Sequence, residues 1–160
     1  SGGRVFVHRD YHAQNLFWLP VRGGDAQVGL IDFQDAVAGA PAYDVVSLLE
    51  DARRDVSPEL SEAMRTRYLA QSGAEPERFA AEAALLAAQR NAKIIGIFAR
   101  LAMRDRKPRY LAYLPRVWGY MERDLEYGGL SALKAWYERN VPRPARRGDV
   151  QIPGETEWRT

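Results

Sequence analysis

The feature that most constrains this chain is a spaced pair of polar clusters near its start. The first is His8-Arg9-Asp10-Tyr11-His12-Ala13-Gln14-Asn15; the second is Leu30-Ile31-Asp32-Phe33-Gln34-Asp35. The pattern H-R-D-x-x-x-x-N, followed by an apolar run ending in Asp-Phe, is the layout of a phosphoryl-transfer site. Such chemistry needs little covalent help from a protein. It needs an acceptor oxygen held in line with a phosphate and cations on the phosphate oxygens. Asp10 is expected to take the acceptor proton. Asn15 and Asp32 offer the hard oxygen atoms that Mg²⁺ prefers.

A hairpin should join the two clusters. Asn15-Leu16-Phe17-Trp18-Leu19 and Gln27-Val28-Gly29-Leu30-Ile31 are short apolar runs. Pro20-Val21-Arg22-Gly23-Gly24-Asp25 lies between them, with glycines for the positive φ of a reversal. Antiparallel pairing would then bring Asn15 and Asp32 to one end. His8 reads as a structural loop residue, since Asp10 fills the role of base, and Arg9 as a loop anchor or solvent-facing group.

The stretches HRDYHAQN and LIDFQDAVAGAPAYDVVSLLEDARRDV resemble the aminoglycoside phosphotransferase and choline kinase superfamily. They are most similar to bacterial kinases of the anomeric hydroxyl of N-acetylmuramate and N-acetylglucosamine in cell-wall recycling. Residues 88–101, AQRNAKIIGIFARL, also resemble that subgroup, so the likeness extends over about residues 4 to 140. It implies an α+β, predominantly α fold: a kinase-like C-terminal lobe with a catalytic-loop β-hairpin and a helical subdomain. It also implies Asp10 as catalytic base, Asn15 and Asp32 as metal ligands, and ATP and Mg²⁺ as cofactors. Asp44 matches an aspartate that holds the catalytic loop through its backbone amides, a role suited to a carboxylate near a helix start.

With 160 residues, the chain is one domain by length, long enough to bury about two-thirds of its unfolded surface. It has no cysteine, which excludes disulfides and thiolate metal sites. The net charge of +2, with acids and bases interspersed, argues against nucleic acid as the main partner. Nothing resembles a signal peptide or an apolar membrane span, so the expected location is the cytoplasm. No glycine-rich phosphate loop followed by a strand lysine precedes Arg4. The expectation is therefore a lobe spanning 1–140 with a tail at 141–160, partnered by an N-terminal nucleotide lobe outside this sequence.

Helical expectations run along the rest. Residues 36 to 41 read as a loop and about 43–53 as a helix. Ser57-Pro58-Glu59 opens another helix to about Gln71, stopped by Ser72-Gly73. A longer helix follows over about 76–103 and further ones over about 115–126 and 131–140, and the Pro- and Arg-rich tail from Val141 reads as disordered or extended.

Candidates for the acceptor site lie around these elements. His12 and Asp35 sit beside the catalytic residues, and Arg90 and Lys93 lie three apart on one helix, where they could meet a sugar carboxylate. The competing reading of Arg90 is a solvated basic face. Trp18, Trp118, Tyr120 and Tyr127 could form a cation cage but read as core. The alternatives are an aminoglycoside or choline-like phosphotransferase, and a non-catalytic binding module that keeps the scaffold.

Overall fold

A computed structural model describes residues 3–141 and 143–146. The fold is α+β and dominated by helix, as the sequence implies. Four three-residue strands make two antiparallel ribbons, β1 (Val5–Val7) with β4 (Val37–Gly39) and β2 (Leu16–Trp18) with β3 (Val28–Leu30). The helices are α1 (Ala42–Leu49), α2 (Pro58–Ser72), α3 (Pro76–Met103), α4 (Leu114–Asp124), α5 (Ser131–Asn140) and the single turn α6 (Arg143–Arg146). Two compact units divide the chain, Ser1–Ala87 and Ala88–Thr160.

In the first unit the hairpin pairs Leu16 with Leu30, Phe17 with Gly29 and Trp18 with Val28. Its connection reverses through Gly24 at φ +57°, then a 3-10 turn over Gly24–Gln27. The expected loop at 36–41 is instead partly a strand. Val37, Ala38 and Gly39 face Val7, Phe6 and Val5 in register, so β4 exists only because β1 supplies its hydrogen bonds. The helix expected over 43–53 stops at Leu49, where Glu50 leaves helical geometry at φ −120° and ψ 42°.

Local chemistry sets the ends of α2. The Ser57 hydroxyl accepts the Leu60 amide at 3.2 Å, Pro58 occupies the first turn, and Gly73 closes the helix at φ +65°. A core of Ala42, Val46, Phe79, Ala83 and Ala87 joins α1 to the first half of α3. Small alanines allow close helix approach, and Tyr68 of α2 covers the edge by stacking on Phe79 at 5.3 Å between centroids.

In the second unit the apolar stripe of α3 continues through Phe98 and Ala102, both buried, and Phe98 packs on Tyr110 and Tyr113. Helix α4 begins one residue before, and ends two before, the expected 115–126. It buries Leu114, Val117, Trp118 and Met121, and Trp118 meets Tyr137 of α5 edge to face. Trp118 and Tyr120 are thus core, whereas Trp18 and Tyr127 are exposed. The tail departs from expectation at Arg143–Arg146, which is helical, and the buried Arg146 guanidinium donates to the carbonyls of Val141 and Tyr137, both at 2.6 Å. Positions 147–160 of the expected tail lie outside the described residues. Among the described residues no helix is long and apolar enough to cross a membrane.

Candidate active site

Strand β1 delivers the chain into a tight loop, and Asp44 grips it from α1. The Asp44 carboxylate accepts the His8 amide at 2.6 Å and the Arg9 amide at 3.1 Å. Arg9 turns through φ +73°, an uncommon conformation for a residue with a Cβ. Its side chain closes the same turn by donating to the Asp35 carbonyl at 3.2 Å. Strain of this kind persists where surrounding bonds over-determine the backbone.

The turn leaves the Asp10 side chain about half exposed, at 56%. Behind it, His12 and Asn15 are buried. Asn15 ends the 3-10 turn just before β2, and its side-chain amide nitrogen donates to the Asp10 carbonyl at 2.9 Å and to Asp10 Oδ2 at 3.3 Å. His12 caps the 3-10 turn Ala13–Asn15, its Nδ1 accepting the Gln14 amide at 3.3 Å. Its Nε2 stands 3.3 Å from Asp10 Oδ1.

The second arm arrives through β3. The Ile31 amide donates to the Asn15 carbonyl at 3.2 Å, which extends the ladder and sets the residue before Asp32 against Asn15. His8, buried, joins both arms: its Nε2 donates to the Ile31 carbonyl at 2.8 Å. A carbonyl only accepts, so the His8 proton sits on Nε2 and Nδ1 faces the interior without a partner. Asp32 itself turns at φ +64°, and Gln34 Nε2 donates to its Oδ1 at 2.7 Å. The described residues contain three non-glycine positive-φ positions, and two of them, Arg9 and Asp32, flank this site.

The donor set suits Mg²⁺. Asn15 spends its amide nitrogen on Asp10, which turns its amide oxygen into the atom left for a cation, and Asp32 adds an exposed carboxylate. Among the described residues no group of three His, Cys, Asp or Glu is placed to hold a metal. Two protein oxygens fit an ion that keeps waters and shares its remaining positions with phosphate oxygens.

Beside the loop lies a mostly apolar cavity of about 420 Å³ bordered by Phe6, His8, Tyr11, Leu30, Asp44 and Met64. Burial, and after it the Asp44 charge, raises the pKa of the Tyr11 hydroxyl. Of the remaining sequence candidates, Asp35 is exposed and engages the loop through its backbone carbonyl. Arg90 is buried, not part of a solvated face, while Lys93 one turn along is exposed. The adjacent Asn91 is fully buried and donates to Asp124 of α4 at 2.9 Å. Sequence reasoning did not find the part played by Gln34; its only signal was its place two residues after Asp32.

The family model for APH, the phosphotransferase enzyme family, matches residues 1–82, which include the whole of this loop and hairpin. The chain belongs to that family. Its similarity to individual proteins runs further along the chain. A protein of Caulobacter vibrioides named N-acetylmuramate/N-acetylglucosamine kinase is 52% identical over 147 residues, 89% of this chain and 40% of that protein. Proteins of the same name from Pseudomonas aeruginosa and Neisseria meningitidis serogroup B are 40% and 37% identical, over 74% and 82% of this chain. The chain spans about two-fifths of the length of these curated relatives. The likeness first drawn from HRDYHAQN and the Asp32 segment therefore holds at the level of the family.

Proposed function

We propose that this chain is the acceptor-side lobe of an ATP- and Mg²⁺-dependent kinase that phosphorylates the anomeric hydroxyl of N-acetylmuramate or N-acetylglucosamine in cytoplasmic peptidoglycan recycling. The observation that carries the proposal is the joined pair of arms: an exposed Asp10 on a loop pinned by Asp44, with Asn15 bonded to the backbone beside Asp32. The relatives' shared name supports the choice of sugar.

In this reading the sugar hydroxyl is oriented on the Asp10 carboxylate, which takes its proton as the oxygen bonds to the γ-phosphorus. The bond from that phosphorus to the bridging oxygen breaks, and ADP leaves. Asn15 and Asp32 would hold Mg²⁺, whose charge offsets that of the phosphate oxygens. Gln34 keeps the Asp32 carboxylate oriented by its hydrogen bond. Asp35, exposed one residue beyond Gln34, is the proposed contact for the sugar within the first unit.

The nucleotide lobe belongs to the proposal as well. Phe6, Phe17, Trp18, Leu30 and Phe33 of the first unit are all more than a third exposed, an apolar surface suited to covering by further protein. About three-fifths of the Caulobacter relative's length lies outside the match.

The test is turnover by the whole protein on N-acetylmuramate, N-acetylglucosamine, kanamycin and choline. The amino sugars should be phosphorylated on the anomeric oxygen, and their alditols should be inert. Kanamycin turnover with idle amino sugars would favour an aminoglycoside phosphotransferase, and nucleotide-independent sugar binding without turnover a non-catalytic module.

A further inference from the structure

We infer that His12 is a positioning residue for the Asp10 carboxylate and not a contact for the acceptor or the phosphate. The inference rests on the kinase reading for its functional meaning, but its geometric half stands without it. His12 is buried, 5% exposed, so its ring is enclosed by protein on most sides. Nδ1 accepts the Gln14 amide within its own turn. In a neutral imidazole an accepting Nδ1 leaves the proton on Nε2, and Nε2 lies 3.3 Å from Asp10 Oδ1. Nδ1 is thus occupied inside the loop, and the Asp10 carboxylate is a close polar neighbour of Nε2.

Asn15 completes the arrangement from the other side. Its amide nitrogen donates to Asp10 Oδ2 at 3.3 Å, so the two carboxylate oxygens lie against different nitrogens. A carboxylate on an exposed loop has freedom about two side-chain torsions, and close polar neighbours at both oxygens restrict both. Contacts of this length in a site without substrate characteristically shorten when the reacting complex forms. Asp10 is thereby presented in one orientation, and the 3-10 turn Ala13–Asn15 sets the spacing of His12 and Asn15.

The chain has two histidines, His8 and His12, so nitrogen-15 spectra of their rings can be assigned with one variant. On the 160-residue chain, His12 should show a protonated Nε2 and an accepting Nδ1. Asp10→Asn should shift the His12 Nε2 signal and leave the His8 ring unchanged. A proton on Nδ1, or a His12 ring indifferent to Asp10→Asn, overturns the inference whatever the protein's activity. In the whole protein, His12→Ala should lower kcat about tenfold, with KM for sugar and nucleotide each within about twofold. His12→Gln, which keeps a side-chain N–H donor, should recover most of that loss. A raised sugar or nucleotide KM at unchanged kcat would make His12 a ligand contact and end the proposal. If the wild type turns over no amino sugar, the kinase reading fails, and the ring spectra still decide the geometry.

Discussion

Asp44 and His8 lie 36 residues apart, yet the Asp44 carboxylate accepts the His8 amide at 2.6 Å. The same carboxylate takes the Arg9 amide, so one side chain in the first turn of α1 holds two successive peptide units of the loop that presents Asp10. Those units need an outside acceptor because Arg9, at φ +73°, belongs to no regular ladder. The helix thus acts as a fixed base for the loop.

Asp44→Ala should consequently loosen the loop before it unfolds the chain. Two amides would lose their acceptor, at about 1–3 kcal/mol for each that remains buried. Hydrogen exchange at the His8 and Arg9 amides should accelerate at least tenfold, with a lower Tm, while exchange in α5 stays unchanged. Equal exchange at His8 and Arg9 in variant and wild type would contradict the anchoring role.

Asp10→Asn in the whole protein should lower kcat by about two to four orders of magnitude, the usual range for loss of a general base. Nucleotide affinity should hardly change, since the exposed Asp10 carboxylate faces the acceptor in the proposed reaction. Near-normal kcat would remove Asp10 from that role.

Asp32→Ala should behave differently. Loss of a metal carboxylate should weaken Mg²⁺-nucleotide binding and turnover together, and added Mg²⁺ should recover part of the activity. A magnesium titration curve identical to that of the wild type would refute the ligand assignment.

The 160-residue chain alone should bind ATP weakly and transfer no phosphate. Asn15 and Asp32 provide two oxygen ligands, and Mg²⁺ sheds its water reluctantly without phosphates positioned beside it. Calorimetry that finds micromolar ATP affinity would sink the two-lobe proposal.

Tyr68 supplies a pH prediction. Burial against Phe79 raises its pKa, and the charge of Glu82 raises it further. The folded value then lies above the unfolded one, near about 10. The stabilisation is complete below the unfolded value and is lost as pH rises through the folded value. Denaturation followed between pH 8 and 11 should show stability falling at the alkaline end, with a shallower fall in Tyr68→Phe. Equal slopes would dismiss Tyr68 as a contributor.

Much of this protein was decided within short windows of sequence. Ser57-Pro58 and Gly73 bound α2, and the apolar period from Pro76 to Met103 sustains α3, because caps and helical stripes act over three or four residues. The hairpin was equally local, and with it the pairing that brings Asn15 toward Asp32. Other features were settled only when distant segments met. Val37–Gly39 carries no strand signal of its own and becomes β4 against β1. The positive φ at Arg9 is held by Asp44 and by the Asp35 carbonyl, bonds that close over 35 and 26 residues. The early end of α1 and the burial of Arg90 are of the same kind. Residue identity and spacing determined which groups could do chemistry here. Their protonated atoms, bond partners and exposure depended on tertiary hydrogen bonds, which no local window contains.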